Sequence, residues 1–244
     1  AVNNLGIVEK IGEGSSTFRG SAAERVHNVE LSAIKLNGTL IPPGEVFSYN
    51  KSVGDISSAT GFKQALVIKG GKTVLGDGGG VCQDSTTMFR AALDAGLPIV
   101  ERHAHGYRVR YYEQDRKPGF DATIYSPSID FRFKNDTKSH ILIQSTVNRA
   151  TSSLTFSLYG KNDGRKVTLS DATIYGVTSP PATVYQDDPG LKRGITKQVE
   201  WAAPGTKSTF HYKVTSAQGK IIQEKDFYSA YRPWRAVYLV GTAD

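Results

Sequence analysis

The hydrophobic pattern of this chain changes period near residue 96, and that change decides which folds are open to it. Before it, residues 26–36 place Val26, Val29, Ala33 and Leu36 at helical spacing, and Asn37-Gly38 ends the run. Residues 82–95 put Cys82, Thr86, Phe89 and Leu93 on one helical stripe, closed by Gly96 and Pro98. Beyond it, residues 107–111, 122–125, 129–133, 141–147 and 154–158 alternate with period two, as half-buried strands do. Further strands are expected at 173–175, 197–201, 209–215, 221–227 and 236–240. They are separated by turn signals such as Pro180-Pro181, Asp187-Asp188-Pro189-Gly190 and Pro204-Gly205. Helices followed by a run of strands predict an α+β fold. The expected organisation is a mixed helix-plus-antiparallel-sheet unit over residues 1–168 and a small all-β module over 169–244. Near the start, residues 1–20 read as turn chemistry, 42–44 as a turn, 46–49 as extended, and 65–68 with 73–75 as a hairpin about Gly70-Gly71.

Composition removes several function classes. A chain of 244 residues can bury a substantial core. The net charge of +7 is spread, with no basic run of five, so nucleic acid is not an expected partner, whereas an anionic cell envelope suits a diffuse positive balance. A single cysteine excludes an internal disulfide and a cysteine-rich zinc site. No apolar run reaches the length of a membrane-spanning helix. No leader is legible at Ala1, and an export or anchor region upstream is the expectation.

That one cysteine stands in Gly78-Gly79-Gly80-Val81-Cys82-Gln83, directly before the second helical run. A glycine loop frees the backbone, and a helix start presents unpaired N–H groups and positive dipole. Both favour a thiolate nucleophile and can hold an oxyanion, making Gly79, Gly80 and Gln83 candidate binding groups. A thiol enzyme also needs a base and a group to orient it. Downstream lie Glu101-Arg102-His103-Ala104-His105, then Asp121. An extended backbone would turn His103 and His105 to the face of Tyr107, Val109 and Tyr111. The thiol reading takes Cys82 as nucleophile, His105 (or His103) as base, and Asp121 or Asp130 as orienting carboxylate. Arg102, Arg108, Arg110 and Tyr107 stand nearby as candidate substrate contacts. A second reading uses Glu101 and Asp121 as a carboxylate pair for glycan cleavage. A metal on His103, His105, Cys82 or Asp121 lacks a further His/Cys cluster to complete it, so neither metal nor cofactor is expected. The bland reading has Cys82 as a small buried residue and the histidines bonded to loop backbone.

These segments resemble the VanW family. The resemblance rests on Leu36-Asn37-Gly38-Thr39 with Pro43-Gly44-Glu45-Val46-Phe47-Ser48, Gly78-Gly79-Gly80-Val81-Cys82-Gln83, Ser85-Thr86-Thr87, Ala91-Ala92-Leu93, Glu101-Arg102-His103-x-His105, Asp121-Ala122-Thr123, and Asp130-Phe131-Arg132-Phe133-Lys134-Asn135-Asp136-Thr137. It covers about residues 1–160. Asp84 stands where the family more often carries an apolar residue. Residues 180–242 are similar to a G5 domain through Tyr185-x-Asp187-Asp188-Pro189, Leu191-x-x-Gly194, Gly205, Gly219-Lys220, Tyr231-x-Pro233 and Val240-Gly241-Thr242. The resemblance implies an exported bacterial protein of the cell envelope. Its partner would be peptidoglycan or another N-acetylglucosamine-containing glycan, with Tyr228, Tyr231 and Trp234 exposed for stacking on sugar. The activity expected is a cysteine-dependent amidase, endopeptidase or acyl transferase. The alternatives are carboxylate-based cleavage of the glycan strand and a non-catalytic wall-binding module.

Overall fold

The computed structural model describes residues 4–69 and 72–243; the expected turn at Gly70-Gly71 lies outside them. In chain order come β1 (Glu9–Thr17), α1 (Ala23–Leu36), β2 (Leu40–Ile41), β3 (Val46–Ser48), the short α2 (Tyr49–Val53), β4 (Gln64–Lys69), β5 (Lys72–Asp77), α3 (Cys82–Asp94), β6 (Ile99–Glu101), β7 (Arg132–Lys134), β8 (Ile141–Asn148) and β9 (Ser153–Gly160). Then follow β10 (Lys166–Leu169), β11 (Thr173–Thr178), β12 (Val184–Lys192), β13 (Thr196–Glu200), β14 (Gly205–Thr215), β15 (Ile221–Tyr231) and β16 (Val237–Ala243). Sheet dominates and helices are few, consistent with the α+β class.

The strands form five sheets among the described residues. One runs β1-β9-β8-β2 and a second β3-β7-β6, while β4 and β5 make a hairpin. Strand β14 pairs with β10 and β11 on separate stretches and with β15 along most of its length. The last sheet, β12-β16-β13, contains a parallel pair, β12 with β16.

Helix α3 lies at the centre. Every residue from Gln83 to Leu93 is buried, so it is covered on nearly all sides rather than along one stripe. At Gly12 and Gly14 the backbone of strand β1 packs directly against it. A Cβ at Gly12 would stand 2.5 Å from the Ala95 nitrogen, and one at Gly14 would stand 2.3 Å from the Thr87 carbonyl. This is why residues 9–17 form a strand although they read as turn: the glycines there permit close approach of sheet to helix.

Three other expectations give way. Residues 107–111 are not a strand. Tyr107 makes a single bridge to Arg232, and the chain turns into a 3-10 segment, Arg110–Glu113, where Arg108 folds back onto Glu113 through bonds of 2.6 and 2.9 Å. Residues 122–125 have only the isolated bridges His103 to Thr123 and Tyr125 to Ile129. The Asp187-Asp188-Pro189-Gly190 turn lies inside β12, whose pairing with β16 is interrupted after Asp188 and resumes at Lys192.

The apolar core draws on both sides of position 168. Phe89 of α3 meets Phe227 of β15 with ring centroids 5.5 Å apart, and Phe120 stacks on Phe210 of β14 at 4.2 Å. Phe210, Tyr212, Val214 and Phe227 therefore belong to the same buried cluster as Phe131, Phe133 and Phe156. The contact brings β15 within reach of the Asp121 segment.

Because β1 meets α3 backbone to backbone, Gly14→Ala is expected to destabilise the fold by about 2–3 kcal/mol through overpacking. Urea unfolding measures it, and an unchanged midpoint would refute the close packing.

Candidate active site

Packing sets the position of Cys82. Gly80 has φ +120°, and a Cβ there would come 2.9 Å from Arg25 Cγ and 3.0 Å from the Arg25 carbonyl. A Cβ at Gly79 would come 2.7 Å from the Leu66 carbonyl. The glycine loop is thus threaded between α1 and the β4–β5 hairpin, which is a steric reason for three small residues in succession. The Gly79 carbonyl accepts from Asn28 Nδ2 at 2.9 Å, and Cys82 then opens α3. One turn on, Ser85 Oγ donates to the Ala122 carbonyl at 2.6 Å, and Thr86 Oγ1 accepts from the Ala122 N–H at 3.1 Å. These bonds lay residues 121–124 alongside the helix start. The Cys82 thiol consequently faces the Ile124 carbonyl at 3.6 Å and Thr123 Oγ1 at 3.7 Å.

The same arrangement brings His105 and Asp121 to the cysteine. His105 Nδ1 donates to Asp121 Oδ2 at 2.6 Å, and the His105 backbone N–H reaches that oxygen at 2.8 Å. With Nδ1 so engaged, Nε2 is the ring nitrogen left for the sulfur. Burial works against the Cys82 thiolate, yet the hydrogen bond and charge of His105 outweigh it and hold the thiol below its ordinary range. Burial also works against the imidazolium, but Asp121 and Cys82 together raise His105 to about 9. Burial would raise Asp121; the His105 hydrogen bond and the Arg102 charge reverse this and hold it well below the usual carboxylate range. His105 thus stands between Cys82 and Asp121, bonded to the carboxylate through Nδ1 and interacting electrostatically with both.

Asp121 is fully subscribed on its other oxygen as well. Oδ1 accepts from Arg102 Nη2 at 3.2 Å and from the hydroxyl of Tyr231. Arg102 Nε donates to the Asp121 carbonyl at 2.7 Å, Nη2 to the Gly119 carbonyl at 2.7 Å, and Nη1 to Ser229 Oγ at 3.0 Å. Strand β15 thus supplies Tyr231 and Ser229 to the carboxylate and its arginine.

Several anticipated residues sit elsewhere. His103 and His105 do not share a face, because the segment is irregular rather than extended: His103 is exposed, with Nε2 3.3 Å from Glu101 Oε1. Glu101 Oε1 also accepts from the Asp130 N–H at 3.0 Å. Asp130 does not orient His105. Its Oδ2 accepts from Ser48 Oγ at 2.5 Å and Oδ1 from the Asn50 N–H at 2.9 Å, so it anchors the start of α2. Gln83 is buried, donating to Ser16 Oγ at 2.6 Å and accepting from Arg25 Nη2 at 2.9 Å, so its side-chain amide does not face an oxyanion. Arg102 is buried scaffold rather than a substrate contact. Tyr231 is buried against Asp121, not exposed for sugar stacking. Tyr107 packs edge-on against Trp234 at 4.0 Å, with the Arg232 guanidinium 4.9 Å over its ring. Extending the alternation of β15 from Phe227 through Ser229 would have placed Tyr231 on the inner face.

Two further neighbours stand close by: Tyr112, which the sequence reading missed, and Asp84, which it noted only as a departure from the family's apolar residue. Tyr112 is buried with its ring 4.9 Å from that of His105. Asp84, two residues beyond the cysteine, is fully buried, and neither carboxyl oxygen has a hydrogen-bond partner. Burial pushes its pKa well above the usual carboxylate range, with the Arg25 charge opposing only in part.

The chain matches the family model "VanW like protein" over residues 24–159, more than half of its length, and belongs to the VanW family. It is 37% identical over 154 residues to YoaR of Bacillus subtilis, covering 63% of this chain and 49% of that protein. It is 38% identical over 116 residues to the vancomycin B-type resistance protein VanW of Enterococcus faecalis, covering 46% of this chain and 42% of that one. The chain thus spans less than half the length of these relatives. The IgA1 protease G5 domain aligns with 35% of this chain and all of its own, at 13% identity and a TM-score of 0.20. At that score the likeness carries no argument.

Two measurements test the electrostatics. Cys82 is the sole cysteine, so iodoacetamide alkylation reports on it alone. The alkylation rate should level off below the ordinary thiol range of about 8.5, and His105→Gln should move the inflection upward; an unmoved inflection refutes the pairing. For Asp84, a raised folded-state pKa means that stability is greatest below the unfolded value and declines as pH rises above about 4. Asp84→Asn should therefore gain stability over the parent at pH 7 and lose that advantage near pH 4 in matched thermal melts.

Proposed function

We propose that this chain carries a cysteine-dependent acyl-transfer site acting on peptide amides of the bacterial cell wall, as an amidase, endopeptidase or transferase. The observation that carries the reading is the Cys82–His105–Asp121 line, in which one buried carboxylate fixes the imidazole tautomer through a 2.6 Å bond and leaves the second ring nitrogen for the thiol. In this reading the Cys82 thiolate attacks the substrate carbonyl carbon, and the imidazolium of His105 gives its proton to the departing amine. The resulting thioester is resolved by water or by an acceptor amine, whose proton returns to His105. Asp121 stays ionised throughout and steadies the imidazolium. The carboxylate route to glycan cleavage is less well supported, because both oxygens of Asp121 are engaged by protein donors.

Membership of the family supports the substrate class. The Enterococcus faecalis relative is a vancomycin resistance protein, which supports a target in the wall and a location in the cell envelope. No helix among the described residues is long and apolar enough to cross a membrane. In the same reading, residues 169–244 form a G5-like module that holds the enzyme on glycan.

Digestion of purified peptidoglycan followed by mass spectrometry tests the proposal. Cys82→Ala should lower product release by about a thousandfold or more, the scale expected for loss of a nucleophile. The wild-type rate should fall as pH rises through about 9, where His105 loses its proton. Release that survives Cys82→Ala but fails with Glu101→Gln would favour glycan cleavage. Wall binding without products would favour a binding module.

A further inference from the structure

Arg25 lies in the first turn of α1 and reaches back over the glycine loop, its Cγ and carbonyl against Gly80. Nη1 donates to Ser21 Oγ at 2.8 Å and Nη2 to Gln83 Oε1 at 2.9 Å, while the Tyr111 ring covers the guanidinium at 4.0 Å. The next residue, Tyr112, sets its ring 4.9 Å from that of His105, so two consecutive tyrosines line Arg25 and His105. Through Gln83 the cation is held to the residue that follows Cys82.

The hydrogen-bond and ring partners of Arg25 among the described residues, Ser21, Gln83 and Tyr111, are neutral. By contrast Arg90 is matched to Asp115, Arg102 to Asp121 and Arg108 to Glu113. Asp84 makes no hydrogen bond to Arg25 among the described residues. A half-buried guanidinium without a counter-charge is costly to keep, and its planar fork suits a carboxylate. The start of α1 adds to the positive potential: its N-cap is Ala22, which offers no side-chain acceptor to the first N–H groups.

We propose that Arg25 binds a free carboxylate of the peptide substrate next to Cys82, so that the site selects peptides carrying a carboxylate close to the reacting amide. This rests on the thiol reading above, and the test separates the two. Binding is measured calorimetrically with Cys82→Ala protein, which cannot react. The probes are a stem peptide from peptidoglycan with a free terminal carboxylate and the same peptide as its carboxamide. The acid should bind about tenfold or more tightly than the amide, the scale of a charge-assisted pair. Adding Arg25→Gln should abolish the preference by weakening the acid alone, and Arg25→Lys should keep part of it. Equal binding of the two probes, no binding of either, or a preference that survives Arg25→Gln overturns the proposal. So does equal weakening of both by Arg25→Gln, which would mark a packing role. Should Arg25→Gln fail to fold by circular dichroism, the acid–amide comparison and Arg25→Lys decide. Separately, turnover of the carboxamide by unaltered protein reports on the thiol chemistry without the carboxylate contact.

Discussion

The carboxylate of Asp121 is the constraint on which the site is built. It is buried, and burial of an ionised carboxyl is unfavourable unless each oxygen is met by donors. Here His105 supplies two, Arg102 one and Tyr231 one. The donors come from two distant parts of the chain, so satisfying one carboxylate fixes the loop after β6, which carries Arg102 and His105, relative to the end of β15. The orientation of the His105 imidazole is a by-product of that satisfaction. Breaking one donor leaves a buried charge short of a partner, which costs far more than the bond itself contributes in water.

Helix α3 serves the site through its polar residues rather than its apolar ones. A helix buried on every side would ordinarily be apolar all round. This one carries Gln83, Asp84, Ser85, Thr86, Thr87 and Arg90 into the interior. Ser85, Thr86 and Arg90 are bonded to segments that have no ladder of their own, and Gln83 and Thr87 to β1. Ser85 and Thr86 hold Ala122, Arg90 holds the carbonyls of Ser15, Tyr112 and Phe120, and Thr87 meets Ser16 at 2.6 Å. The irregular backbone from 102 to 124 owes its placement to these side chains, because it lacks the sheet bonds that would otherwise position it. Asp84 is the exception, without a hydrogen-bond partner among the described residues.

Which parts of this were legible in the sequence follows from what each signal depends on. The strands at 141–148, 153–160 and 205–215 announced themselves because one face is wet and the alternation survives. The catalytic candidates were legible because the chemistry restricts residue types: one cysteine at a helix start, with histidine and aspartate downstream. Strand β1 was hidden because close packing demands glycine, and glycine also spells turn. The 107–111 segment misled for the opposite reason: its alternation is real, but no neighbouring strand is available to pair with it, and local bonding from Arg108 to Glu113 wins. Asp121 and Asp130 could not be told apart by spacing, since the choice is made by side chains from β3, α2 and β15 that come together only in three dimensions.

The position of Tyr231 changes how the C-terminal strands relate to the site. A module that only tethers an enzyme to its substrate can be joined through any surface. Here β15 carries Phe227 into the core against Phe89, Ser229 to Arg102 and Tyr231 to Asp121, three consecutive inward positions on one strand. The first contributes apolar burial, the second a bond to the positioning arginine, the third a bond to the carboxylate itself. A shift of β15 by one residue would turn all three outward. The register of β14 with β15, fixed over ten residue pairs from Thr206–Tyr231 to Thr215–Ile221, is therefore part of the geometry that orients His105.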